Sequence, residues 1–81
     1  MNFRYNVIGE YPEIKERMTL ETNSIRRAIF NFMSLINHDT PCRICDGITG
    51  EVLVSCGEDE DWCTPEMALM IKDYLAGNEE V

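Results

Sequence analysis

Cys42-Arg43-Ile44-Cys45-Asp46-Gly47-Ile48-Thr49-Gly50-Glu51-Val52-Leu53-Val54-Ser55-Cys56 sets two apolar runs around a tight turn. Asp46, Gly47, Thr49 and Gly50 are the chemistry of a short hairpin loop, and Gly50 is free to take positive φ. If Asp46 pairs with Glu51, Cys45 falls opposite Val52 and Ile44 opposite Leu53. One face then carries Cys45, Val52, Val54 and Cys56, and the other Cys42, Ile44, Leu53 and Ser55. Val52-Leu53-Val54 is apolar on both sides, which suits a strand inside a sheet.

Upstream, Pro41 disfavours helical geometry at Thr40 and separates this hairpin from a helix. Ile25, Ala28, Ile29, Phe32 and Ile36 recur at helical spacing behind the capping side chains of Thr22, Asn23 and Ser24. The spacing predicts an amphipathic helix over 24–37. Before it, Phe3, Tyr5 and Val7 alternate with Arg4 and Asn6. Ile14, Met18 and Leu20 alternate with Lys15, Arg17 and Thr19. Period two predicts a first hairpin over 2–21, with its turn at Gly9 to Glu13. Glu16 interrupts the second apolar face, as it would at an edge or bulge.

Downstream, Gly57 to Cys63 reads as a loop. Thr64 as N-cap, Pro65 at the first helical position and Glu66 near the positive end of the dipole open a second helix over 65–76. Met67, Met70, Ile71, Tyr74 and Leu75 form its apolar stripe, Gly77 stops it, and 78–81 is a frayed tail. The expected fold class is α+β, in the order ββαββα. One domain over 1–81 would hold a four-stranded, mostly antiparallel sheet with both helices on one face.

With 81 residues the chain buries a modest core, and a disulfide, a metal or a partner subunit would add to its stability. No long apolar run or signal-peptide pattern appears, so the expected location is the cytoplasm. The net charge is −8. Residues 1–37 hold five basic groups against four acidic, and residues 38–81 hold two against eleven. Such a surface repels phosphate backbones, which disfavours direct nucleic-acid binding and suits a basic protein partner. Acidity that serves only solubility is the plainer explanation.

The cysteines are spaced C-x2-C-x10-C-x6-C. Cys42, Cys45, Cys56 and Cys63 are one candidate set for a tetrahedral zinc site, with His38 able to replace one of them. Against it, Cys42 and Cys45 point to opposite faces of a regular strand, and the second pair lacks the C-x2-C spacing. The plain alternative makes Cys45 and Cys56 small buried hydrophobes, with Cys42 and Cys63 at element ends. Cys63, just before a helix N-cap, is the one candidate for a reactive thiol, although nearby carboxylates oppose its ionisation. No nucleophile–base pairing, glycine-rich phosphate loop, H-E-x-x-H or G-x-S-x-G occurs, so no enzyme is expected and no cofactor beyond the zinc alternative.

Glu58-Asp59-Glu60-Asp61-Trp62 is the candidate partner-binding segment, an acidic patch beside an indole anchor. Otherwise Trp62 covers a sheet edge or helix start while the acids solvate the loop. The functional expectation is a small, acidic, non-catalytic interaction module that binds a basic protein or itself, homodimerisation included. A zinc-stapled module is the alternative, and a thiol enzyme a distant third.

Overall fold

The computed structural model describes residues 3–11, 16–57 and 61–77. Its elements are β1 (Tyr5–Tyr11), β2 (Glu16–Thr22), α1 (Ile25–Asn37), β3 (Cys42–Asp46), β4 (Val52–Cys56), β5 (Trp62–Cys63) and α2 (Pro65–Leu75). The five strands form one antiparallel sheet in the order β2-β1-β3-β4-β5. α1 carries the chain from the edge strand β2 across β1 to β3, so β1 and β3 become the centre of the sheet.

The mixed α/β fold with two helices is as expected, but the order is ββαβββα with five strands, not ββαββα with four. The added strand is Trp62–Cys63, inside a stretch whose sequence reads as loop. Two residues are too short to show alternation. They become a strand because Ser55 and Val54 offer an open edge for Trp62 and Cys63 to pair with. The first turn also moves. β1 runs through Gly9 to Tyr11, and residues 12–15 lie outside the described residues. Gly9 pairs with Met18 inside the hairpin, and a Cβ there would meet Leu35 Cδ1 of α1 at 2.9 Å. Close packing, not a turn, explains this glycine.

The second hairpin also departs from its expected register. Asp46 N–H does bond to the Glu51 carbonyl (2.7 Å), Cys45 does pair with Val52, and Gly50 does take positive φ (79°). The register then shifts between Cys45 and Ile44, so that Ile44 faces Val54 and Cys42 faces Cys56. A bulge at Leu53 absorbs the extra residue. The Leu53 carbonyl accepts the Thr64 N–H at 2.9 Å, which ties the bulged strand to the start of α2. The corrected inner face carries Cys42, Ile44, Val54 and Cys56. The turn is held by Asp46, whose Oδ1 accepts from Ile48 N (2.8 Å) and Thr49 N (3.0 Å). These bonds to Thr49 and Ile48 hold its carboxyl below the ordinary 3.8.

The core lies on one side of the sheet. Tyr5, Val7, Cys42, Ile44 and Val54 meet Ala28, Ile29, Phe32 and Leu35 of α1, and Met67 of α2 joins the same cluster. Val7, Ile29 and Ile44 are fully buried, each contributing about 1.5–3 kcal/mol of transfer free energy. Both helices are capped as their sequences predict. Ser24 Oγ accepts from Arg27 N and Thr64 Oγ1 from Met67 N, each at 3.2 Å. The two helices also meet where the Arg26 guanidinium lies 5.1 Å over the Tyr74 ring. Among the described residues no helix is long and apolar enough to cross a membrane.

Candidate functional site

α2 does not bury its apolar face. Of its hydrophobic residues only Met67 is buried, Ile71 and Tyr74 are half-buried, and Leu69, Met70 and Leu75 are exposed. The helix therefore stands partly off the sheet, and a groove opens along one flank. Phe32 and Ile36 of α1 form one wall, Ala68 and Ile71 of α2 the other, and Val54, Cys56 and Cys63 the floor. Trp62 and Asp61 complete the lip. The depression is shallow and widely open to solvent, with a volume of about 410 Å³ and a mostly apolar lining.

The geometry follows from the register. Cys63 pairs with Val54 and Trp62 with Ser55, so Cys63 shares the inner face of Val54 and Cys56. Trp62 sits on the outermost strand with 46% of its surface exposed. By the same alternation Trp62 and Ser55 belong to the other face of the sheet, and they bound the groove where the sheet ends. Asp61 is tied to the end of β4: its Oδ1 accepts the Gly57 N–H at 3.1 Å. Burial, the Asp61 charge and a hydrogen bond to Asp61 all push the Cys56 thiol above its ordinary 9.0. Burial pushes the Cys63 thiol up as well, and its Sγ–H donates to the Thr64 carbonyl (3.3 Å).

The structure thus brings Asp61 and Trp62 of the acidic segment together with Cys56 and Cys63 of the cysteine set. Glu58, Asp59 and Glu60 lie outside the described residues. Cys42 is fully buried beside the groove, opposite Cys56, and its Sγ–H donates to the Phe32 carbonyl at 3.7 Å. Cys45 is elsewhere. It pairs with Asn6, which alternates with the core residues Tyr5 and Val7, so both point to the side of the sheet away from the helices. The four sulfurs therefore do not converge. Among the described residues no three of histidine, cysteine, aspartate and glutamate gather around a point that could hold a metal. His38 is exposed at the C-cap of α1.

Phe32, Ile36, Ala68 and Ile71 were not expected at a site. Helical spacing marks the first, second and fourth as core positions, and only a surplus of apolar residues on α2 hinted that some would be left open. No protein-family model, no curated protein and no solved structure matches the chain.

Proposed function

We propose that this chain is a non-catalytic protein-interaction module whose groove takes an apolar segment of a basic protein partner. The observation that carries the reading is the apolar groove with a half-exposed Trp62 and the Asp61 carboxylate on its lip. Tryptophan is enriched among the residues that carry most of the binding energy of protein interfaces, and here it stands exposed beside an apolar surface that a partner would cover. The half of the chain that builds most of the groove, residues 38–81, holds eleven acidic groups against two basic. An amphipathic segment with apolar residues on one face and Lys or Arg around them satisfies both features. A second copy of this chain would bring another acid-rich rim to the groove, which argues against self-association there.

The zinc-stapled alternative has less support, since Cys45 faces away from Cys42, Cys56 and Cys63. The thiol-enzyme alternative has less again, because Cys56 and Cys63 are both pushed toward the neutral thiol.

Trp62→Ala tests the reading, with a labelled Leu/Lys amphipathic helical peptide as probe and a Leu/Glu peptide as control. The wild type should bind the basic peptide saturably and the acidic one not at all. Loss of an aromatic anchor costs about 2 kcal/mol or more, so the variant should bind roughly 30-fold more weakly. Its melting temperature should change by only a few degrees. A large fall in melting temperature with unchanged affinity would make Trp62 a core residue and remove the reading.

A further inference from the structure

We propose that β2 is a self-association edge, at which two copies pair their β2 strands antiparallel about Thr19 and fuse their sheets. β2 is the outer strand of the sheet, so one row of its backbone N–H and C=O groups faces away from β1. It is seven residues long and pairs with β1 without a register break, from Tyr5–Thr22 to Tyr11–Glu16. Edges of this length are normally blunted by charged side chains, proline or a bulge; β2 has no lysine, proline or bulge, and of its charges Glu16 lies at one end while Arg17 and Glu21 are of opposite sign.

The strand is complementary to itself. Its sequence is Glu16-Arg17-Met18-Thr19-Leu20-Glu21-Thr22. Antiparallel pairing about Thr19 sets Arg17 of each copy opposite Glu21 of the other, Met18 opposite Leu20, and Thr19 opposite Thr19. Opposite charges meet twice, apolar residues meet twice, and the centre is a Thr–Thr pair. Centring on Met18 would set Glu16 against Leu20, and centring on Leu20 would set Thr19 against Glu21. Only Thr19 matches both charge and polarity.

The faces agree as well. Arg17, Thr19 and Glu21 pair with Glu10, Ile8 and Asn6 on the side away from the helices. Met18 and Leu20 lie on the helix side, where they already pack against the core. A two-fold axis through Thr19, perpendicular to the sheet, keeps both helix layers on the same side, so Met18 and Leu20 of the two copies extend one apolar surface. Arg17 is already bound to Glu10 at 3.2 Å, and its side chain is still 59% exposed. The guanidinium has five N–H donors, so it retains some for a second carboxylate. Residues 1–37 hold five basic groups against four acidic, so the edge lies in the half of the chain that does not carry the strong negative charge. This inference is independent of the groove.

Sedimentation in the presence of a reductant tests it. A strand-edge contact is small, so dissociation on the order of 10–100 μM is expected and the concentration series should run from about 5 to 500 μM. The wild type should move from the 9.4 kDa chain mass toward twice that value. Glu21→Arg sets arginine against Arg17 twice and should weaken the dimer at least tenfold. Thr19→Lys, which places two ammonium groups at the two-fold axis, should do the same. The double variant R17E/E21R restores opposite charges in every pair and should recover the dimer, while Trp62→Ala should leave it unchanged. A wild type that stays monomeric throughout overturns the proposal, as does a Glu21→Arg or Thr19→Lys variant that dimerises as tightly as the wild type. A folded R17E/E21R protein that remains monomeric also overturns it.

Discussion

Gly47→Ala is expected to lower the melting temperature by roughly 12–24 °C, the equivalent of about 3 kcal/mol in a domain of this size. A Cβ at Gly47 would overlap the Phe3 carbonyl oxygen and lie 2.8 Å from the carbon of that carbonyl. Both are backbone atoms, so no side-chain rotation relieves the clash. The chain before β1 would have to move away from the β3–β4 turn. That would break the bond from Gly47 N–H to the Arg4 carbonyl (2.8 Å) and strain the Tyr5–Asp46 pair. Overpacking costs about 1–3 kcal/mol and a lost hydrogen bond about 0.5–1.5. Gly50→Ala is the control. Nothing lies within 4 Å of its Cβ position, so only the strain of its positive φ (79°) remains, at about 1 kcal/mol. Thermal melts of the two variants should differ clearly. Equal losses would mean that the start of β1 is not docked against the turn.

Ile44→Ala should cost about 2–5 kcal/mol in urea denaturation. Ile44 is fully buried on a central strand, between Val7 of β1 and Val54 of β4. It also belongs to the cluster that α1 and α2 close over. Whole domains of this size are stable by about 4–12 kcal/mol, so the substitution removes a large share of the total. Val52→Ala gives the contrast. Val52 pairs with Cys45 on the opposite side of the sheet and is only half-buried, so its loss should be smaller by at least about 1 kcal/mol. Equal losses would contradict the placing of Ile44 and Val52 on opposite sides of the sheet.

The helices were the most legible part of the chain. Ser24 and Thr64 mark both N-caps, and apolar spacing of three and four residues carries each helix between them. The alternation of Tyr5 and Val7 with Arg4 and Asn6 likewise marked β1 and its buried face. The second hairpin was legible as far as its turn, through Asp46, Glu51 and Gly50, and no further. Val52-Leu53-Val54 is apolar on both faces, so the residues themselves do not say which one bulges. The choice comes from outside the hairpin, where the Leu53 carbonyl meets Thr64 N–H. β5 was hidden for a related reason, since its two residues are strand only because β4 leaves them an edge to pair with.

The candidate site was legible by half. Trp62 and Asp61 stood out as residue types, and the structure places them on the lip of the groove. The walls did not stand out, because an apolar helix stripe reads the same whether a sheet or a partner covers it. Phe32 and Ile36 therefore read as core, and Ala68 carries no signal that sets it apart from any other helical alanine. The cysteines misled in the opposite direction. Their spacing suggested one set of four, whereas the register divides Cys42, Cys56 and Cys63 from Cys45.

The most direct measurement of the docking reading is a map of amide and indole shifts on isotopically labelled protein titrated with the basic Leu/Lys peptide. The indole N–H of Trp62, the only tryptophan, gives one unambiguous signal at the lip. Binding in the groove predicts that the largest shifts fall together on Trp62, Cys63, Val54, Phe32 and Ile71, with β2 unmoved. Shifts that leave Trp62 and the two helix walls unchanged, or that spread evenly over the acidic residues, would contradict it.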